Sequence, residues 1–101
     1  MNKGAMFLAM SLMSYPLSLA HSQCMGPIEY NVDRPGSDYV DFSLPSANPT
    51  VCLSQCAADP QCMAWNYEPP GVTFTEAHCW LKNGVPWPTF HPGLRSGVKV
   101  K

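Results

Sequence analysis

The sequence predicts a small α+β domain, one helix set among several short antiparallel strands and stapled by disulfides. Three observations point there. The 101 residues include 11 Pro, 7 Gly and 5 Cys, so turns are frequent and thiols dense. Only one segment, Asn48 to Ala58, carries both a helix start and a helix stop. Elsewhere short runs of β-branched and aromatic residues lie between turn formers, as strands do. An apolar fraction of 46% excludes a disordered chain, and a net charge of −1 gives no reason to expect a nucleic-acid binder.

Residues 1–20 read as a secretory signal peptide rather than as part of the fold. Lys3 supplies the positive start, Ala5 to Met13 is apolar apart from Ser11, and Ser18 and Ala20 are the small residues that a cleavage after Ala20 requires. The apolar run falls short of the ~20 residues of a membrane-spanning helix, and Pro16 interrupts it. A lipid anchor on Cys24 is rejected, because Gln23 and His21 stand where small and aliphatic residues belong. The domain is therefore expected over residues 21–101, with no membrane span after leader removal. It would be secreted or periplasmic, in an oxidising compartment.

Within the domain, Ile28, Tyr30 and Val32 alternate with polar residues, as in a half-buried strand. Arg34-Pro35-Gly36-Ser37 suits a type II turn, with Pro fixing φ at the second position and Gly accepting a positive φ at the third. Tyr39 to Phe42 resumes the extended pattern. Asn48 then caps a helix that opens with Pro49 and is stopped by Asp59-Pro60. The spacing puts Cys52, Leu53 and Cys56 on one helix face. Cys62 to Tyr67 is a strand-like run with Met63, Trp65 and Tyr67 on one side and Cys62, Ala64 and Asn66 on the other. His78 to Lys82 is another strand, closed by Asn83-Gly84. Pro86 and Pro88 keep 85–88 out of any central strand, and Ser96 to Val100 is the last one.

Four cysteines, at 52, 56, 62 and 79, allow three pairings. A Cys52–Cys56 bridge would join successive turns of one helix and close almost no loop, so it is set aside. Two schemes remain. The preferred one joins Cys56 to Cys62 across a short turn and Cys52 to Cys79; the other joins Cys52 to Cys62 and Cys56 to Cys79. A structural zinc site is disfavoured, since Cys62 and Cys79 lack the short spacing of a ligand pair. Cys24 is left as a free thiol or as one half of a disulfide-linked dimer.

In this order the residues resemble the PAN/apple domain family, most closely its small secreted bacterial members. The resemblance is carried by Arg34-Pro35-Gly36-Ser37-Asp38-Tyr39, the Cys52, Cys56, Cys62 spacing, and Ala64-Trp65-Asn66-Tyr67. It continues through Cys79-Trp80-Leu81-Lys82-Asn83 and Val85-Pro86 to Ser96-Gly97-Val98. It implies a curved antiparallel sheet wrapped around one helix, with bridges Cys52–Cys79 and Cys56–Cys62. It also implies a non-catalytic module that binds proteins or carbohydrates. Larger apple domains close their two ends with a further bridge, for which Cys24 has no partner between Phe90 and Lys101.

Catalytic and metal constellations are weak. His78 beside Cys79 would need a free thiolate, which a disulfide removes. His21, as a new N-terminal residue, offers copper only its amine and ring, so no metal or cofactor is expected. Asp38 and Asp41, three apart on a strand, are expected on opposite faces as solvated charges. Trp87, held between Pro86 and Pro88, is the aromatic residue most suited to a binding surface. All seven acids lie between Glu29 and Glu76, while Lys82, Arg95, Lys99 and Lys101 follow without an acid. Were the last strand beside the one bearing Lys82, Lys82 and Arg95 would form a basic patch near Trp87, attractive to acidic glycans or proteins. A second functional expectation is a small secreted inhibitor or structural cell-envelope protein acting through the Pro-rich 84–93 loop.

Overall fold

The computed structural model describes residues 24–100. The leader 1–20, His21 and Lys101 lie outside the described residues. The element order is β1 (Glu29–Asp33), β2 (Asp38–Leu44), α1 (Pro49–Ala58), β3 (Ala64–Glu68), β4 (Ala77–Lys82) and β5 (Thr89–Val98). The strands form a single antiparallel five-stranded sheet in the order β1-β5-β3-β4-β2. An isolated bridge between Met25 and Lys99 prolongs it at the chain ends.

The helix forms where its caps dictate. Asn48 is extended (φ −135°, ψ 108°) and its side-chain oxygen accepts from the Thr50 amide at 2.9 Å, while Pro49 occupies a first-turn position that needs no donor. Asp59 ends it, and Lys99 donates from Nζ to the Asp59 carbonyl at 2.8 Å, placing a cation at the negative end of the helix. Cys52 and Cys56 are fully buried on the face turned to the sheet. Cys52 bonds to Cys79 on β4, and Cys56 to Cys62 just before β3, with Cα separations of 5.5 and 5.1 Å. Each bridge contributes about 2–4 kcal/mol by restricting the unfolded chain.

Strand alternation then divides the sheet. Trp65 and Tyr67 of β3 and Ala77, Cys79 and Leu81 of β4 join Leu44 and the helix cysteines in the core. The alternate residues, Asn66 and Glu68, His78 and Lys82, and Ser96 on β5, face away from α1 yet are buried too. Every residue of β3 is buried, as befits a central strand. Met63, expected beside Trp65, is instead 40% exposed, because the strand begins only at Ala64, beyond the Cys56–Cys62 bridge.

Asn83-Gly84 ends β4 as expected, and because both edges of β4 are already taken, by β3 and β2, the chain crosses to the far side of β3. Another expectation gives way to the sheet order. The last strand is longer than expected and begins at Thr89, tolerating Pro92 because its ladder with β1 shifts there. At that shift Asn31 adopts φ 61° and its side-chain oxygen accepts from the Gly93 amide at 2.9 Å. Tyr30 is consequently turned out, 62% exposed, rather than half-buried. The turn at 34–37 has the expected positive φ at Gly36 (103°), and Ser37 is also positive at 63°.

Gly97 is required by Trp65. A Cβ at Gly97 would lie 2.5 Å from the indole Nε1 and 2.6 Å from Cε2 of the buried Trp65. Gly97→Ala is therefore expected to destabilise the fold by roughly 1–3 kcal/mol, read as a lower thermal midpoint by circular dichroism. A second expectation concerns the hydrogen bond from the Tyr39 hydroxyl to Asp59 Oδ2 (2.6 Å), which ties β2 to the end of the helix. That bond and the Gln61 amide hold the Asp59 carboxyl below its ordinary range. Burial and Asp59 together hold the Tyr39 phenol above its own. A depressed carboxylate stabilises the fold above its unfolded value of about 3.9, and that gain disappears as pH falls through the lower folded value. The raised phenol stabilises below its unfolded value of about 10, and that gain is lost as pH rises through the higher folded value. The stability difference between the wild type and Tyr39→Phe should hold constant near neutrality and shrink at both ends in pH-dependent urea unfolding.

Candidate functional site

The loop between β4 and β5 carries the most exposed aromatic side chain among the described residues. Trp87 is 85% exposed, and Val85 (49%) and Phe90 (78%) flank it along the chain. Large rings leave water only when neighbours cover them, and here Pro86 and Pro88 restrict the backbone so that no neighbour closes over the indole. A groove of about 400 Å³ runs beside it, lined by Arg34, Val85, Pro86, Trp87 and Pro88.

The loop is braced at three points. Asn83 donates from its amide to the Ser37 carbonyl at 2.9 Å, and Thr89 donates from Oγ1 to the Asp33 carbonyl at 3.2 Å. Between them Arg34 donates from Nη1 to the Pro86 carbonyl at 2.8 Å. Its Nε and Nη2 engage both carboxylate oxygens of Glu29, at 2.9 and 2.8 Å. The Glu29 hydrogen bond favours the charged guanidinium, raising its pKa against the opposing effect of burial. A two-pronged Arg–carboxylate pair is geometrically rigid, so Pro86, and the indole one residue on, are held in place before any ligand arrives.

The expected basic patch beside this loop is absent. β5 pairs with β3 and β1, not with β4, so the strand bearing Arg95 is not adjacent to that bearing Lys82. Lys82 is 1% exposed, donating to the Gly36 carbonyl at 3.1 Å and to the Asp38 carboxylate. Arg95 stacks its guanidinium over the Tyr30 ring at 4.6 Å, and Lys99 is taken up by the helix end. A buried ammonium needs partners, and the one acid that serves it, Asp38, lies 44 residues earlier in the chain. Of the three residues expected to form the binding surface, the structure leaves Trp87 open and diverts Lys82 and Arg95 into intramolecular pairs.

Asp38 and Asp41 also differ from expectation. An irregularity in the β2–β4 register between Asp38 and Val40 shifts the alternation, so both acids reach the same face. There Asp38 meets Lys82, and His78 Nε2 donates to Asp41 Oδ1 at 2.6 Å. His78 stacks on Phe74 at 4.1 Å between ring centres, and its neighbour Cys79 is held in the bridge to Cys52. Cys24 is exposed and unbridged, its carbonyl accepting from the Val100 amide at 2.8 Å. Among the described residues no group of three or more His, Cys, Asp or Glu side chains is placed to hold a metal ion. No described helix is long and apolar enough to cross a membrane.

Sequence reasoning missed the part played by Arg34. Its position before Pro35 read only as the first residue of a turn, and nothing local indicates a partner at Pro86. It also missed that Asn66 and Glu68 are buried; in the sequence they look like the solvent side of an alternating strand.

No curated protein matches the chain. The PAN domain family matches residues 32–82, just over half of its length. That interval runs from the end of β1 to the last residue of β4 and contains all four bridged cysteines. With this match, one helix bridged twice to the sheet region and a five-stranded antiparallel order, the chain belongs to the PAN domain family.

Proposed function

We propose that this protein is a non-catalytic recognition module acting outside the cytoplasm, which binds a protein or carbohydrate ligand through the Trp87 loop. PAN domains are binding modules of this type, and one observation carries the assignment to the loop: an indole 85% exposed on a backbone braced by Arg34, Asn83 and Thr89. Leaving such a ring in water is costly unless a partner covers it, and a loop already ordered loses little further entropy on binding. An aromatic face of this kind stacks against a sugar ring or anchors a protein interface. The exposure of Val85 and Phe90 on either side favours a second reading, in which residues 84–93, the loop together with the start of β5, plug a protein partner as an inhibitor or a cell-envelope component.

The disulfides support an oxidising compartment, with residues 1–20 as the leader that takes the chain there. In that compartment the exposed Cys24 thiol is free to join a second copy, giving two Trp87 loops per assembly. Intact mass measured without reductant tests both points. It should show loss of residues 1–20 and twice the mature mass; a chain that keeps the leader, or a monomer that alkylates at Cys24, contradicts the corresponding half of the proposal.

Trp87→Ala should leave the melting temperature nearly unchanged, since the ring contributes little to the core. On a glycan array and in pulldowns it should weaken the main interaction about thirtyfold or more, the scale of a hot-spot residue. Loss of glycan signal supports the carbohydrate reading, and loss of one captured protein supports the plug. Binding that survives the substitution in both assays rules out the loop.

A further inference from the structure

The sheet face turned away from α1 carries a depression of about 250 Å³. Its lining includes Asp33 from β1, Asp38 from β2, Asn66 and Glu68 from β3, and Trp80 and Lys82 from β4. It is built from the fold rather than from mobile surface chains: Asn66, Glu68 and Lys82 are 5%, 7% and 1% exposed. The groups around it are only partly satisfied. Lys82 has three N–H donors and uses two, on the Gly36 carbonyl and on Asp38. Asn66 gives one N–H to a single oxygen of Asp33, and its own oxygen accepts from the Arg34 amide at 3.3 Å. One Asn66 N–H and one Asp33 oxygen are left without a partner among the described residues. Glu68 accepts from the Thr73 amide and hydroxyl, at 3.3 and 3.0 Å, and has lone pairs to spare.

We propose that this depression is a second recognition site, which takes one ring of a neutral or amino sugar and rejects acidic sugars. The inference rests on the carbohydrate branch of the function proposed above. A sugar hydroxyl both donates and accepts, so it needs a site offering donors and acceptors together, as Lys82, Asn66, Asp33 and Glu68 do. The C–H face of the ring needs an apolar wall, which Trp80 and Leu94 supply. The volume lies below the ~300–1,000 Å³ of pockets for drug-sized ligands, which limits the occupant to about one ring. Charge sets the selectivity. Three carboxylates, from Asp33, Asp38 and Glu68, outnumber the Lys82 ammonium and the His91 ring, so the lining is net negative and opposes a uronate carboxyl. This is the reverse of the preference that the run of bases after Glu76 suggested.

The test is a titration of purified, disulfide-intact protein followed by the Trp indole NMR signals, using methyl glucoside, methyl galactoside, methyl mannoside, glucosamine and methyl glucuronide. At least one neutral or amino sugar should shift the Trp80 signal, with the glucuronide at least tenfold weaker. Asp33→Asn, which keeps the acceptor for Asn66, should weaken that sugar about fivefold or more, whereas Glu76→Gln, which removes an equal charge elsewhere, should not. Trp87→Ala should leave the Trp80 titration unchanged. The inference is overturned if no sugar shifts Trp80, if the glucuronide binds as well as the neutral sugars, or if Asp33→Asn has no effect. It is also overturned if Trp87→Ala abolishes the binding, a result that would instead place the carbohydrate on the loop and uphold the proposed function.

Discussion

The bridge between Cys52 and Cys79 decides which side of this sheet is core. It anchors the first half of α1 to β4, and because strand side chains alternate, every residue in phase with Cys79 is turned toward the helix. Trp65, Tyr67, Ala77 and Leu81 thereby gather with the cysteines into one apolar cluster. The second bridge, Cys56–Cys62, sets where the chain leaves the helix and enters β3. A domain this small buries too little apolar surface to hold such an arrangement by packing alone, and the covalent links make up the difference.

The residues out of phase with Cys79 had no helix to cover them, and their chemistry follows from that. Besides Ala64, Trp80 and Leu94 they include Asn66, Glu68, His78, Lys82 and Ser96, all buried, which leaves each of these polar groups in need of a partner. Lys82 finds Asp38, His78 finds Asp41, Asn66 finds Asp33, Glu68 finds Thr73, and Ser96 donates to the Trp65 carbonyl at 2.8 Å. Buried polar groups are tolerated when paired, and pairs of this kind leave spare donors and acceptors at their edges. The same pairing takes up Lys82, Arg95 and Lys99 among the described bases of the C-terminal half. The described surface consequently carries a bare aromatic ring on a braced loop and, on the sheet face turned away from α1, a polar hollow.

The parts legible in the sequence were those written in neighbouring residues. Asn48-Pro49 and Asp59-Pro60 marked both ends of the helix, which runs from Pro49 to Ala58. Pro86 and Pro88 marked Trp87 as a loop residue, and the run of large residues after Cys62 marked a strand. What escaped were features produced by strand pairing. The irregularity beside Asp38 reversed the expected facing of Asp41, and the shift around Asn31 let β5 extend through Pro92. Neither leaves a sign in the residues themselves, because a bulge depends on the register of the partner strand as much as on its own sequence.

The amino-acid sequence alone settled the class of domain, the place and limits of its helix, and the small set of ways its cysteines can pair. These rest on φ preferences, caps and spacings spanning a few residues, which any local stretch expresses by itself. The tertiary structure alone decided which charges stay free and which face collects them. Lys82 meets Asp38 across 44 residues and Arg34 meets Pro86 across 52. Contacts of that range exist only once the strands have taken their order in the sheet, since a long side chain pairs with whatever acceptor the neighbouring strand brings within reach.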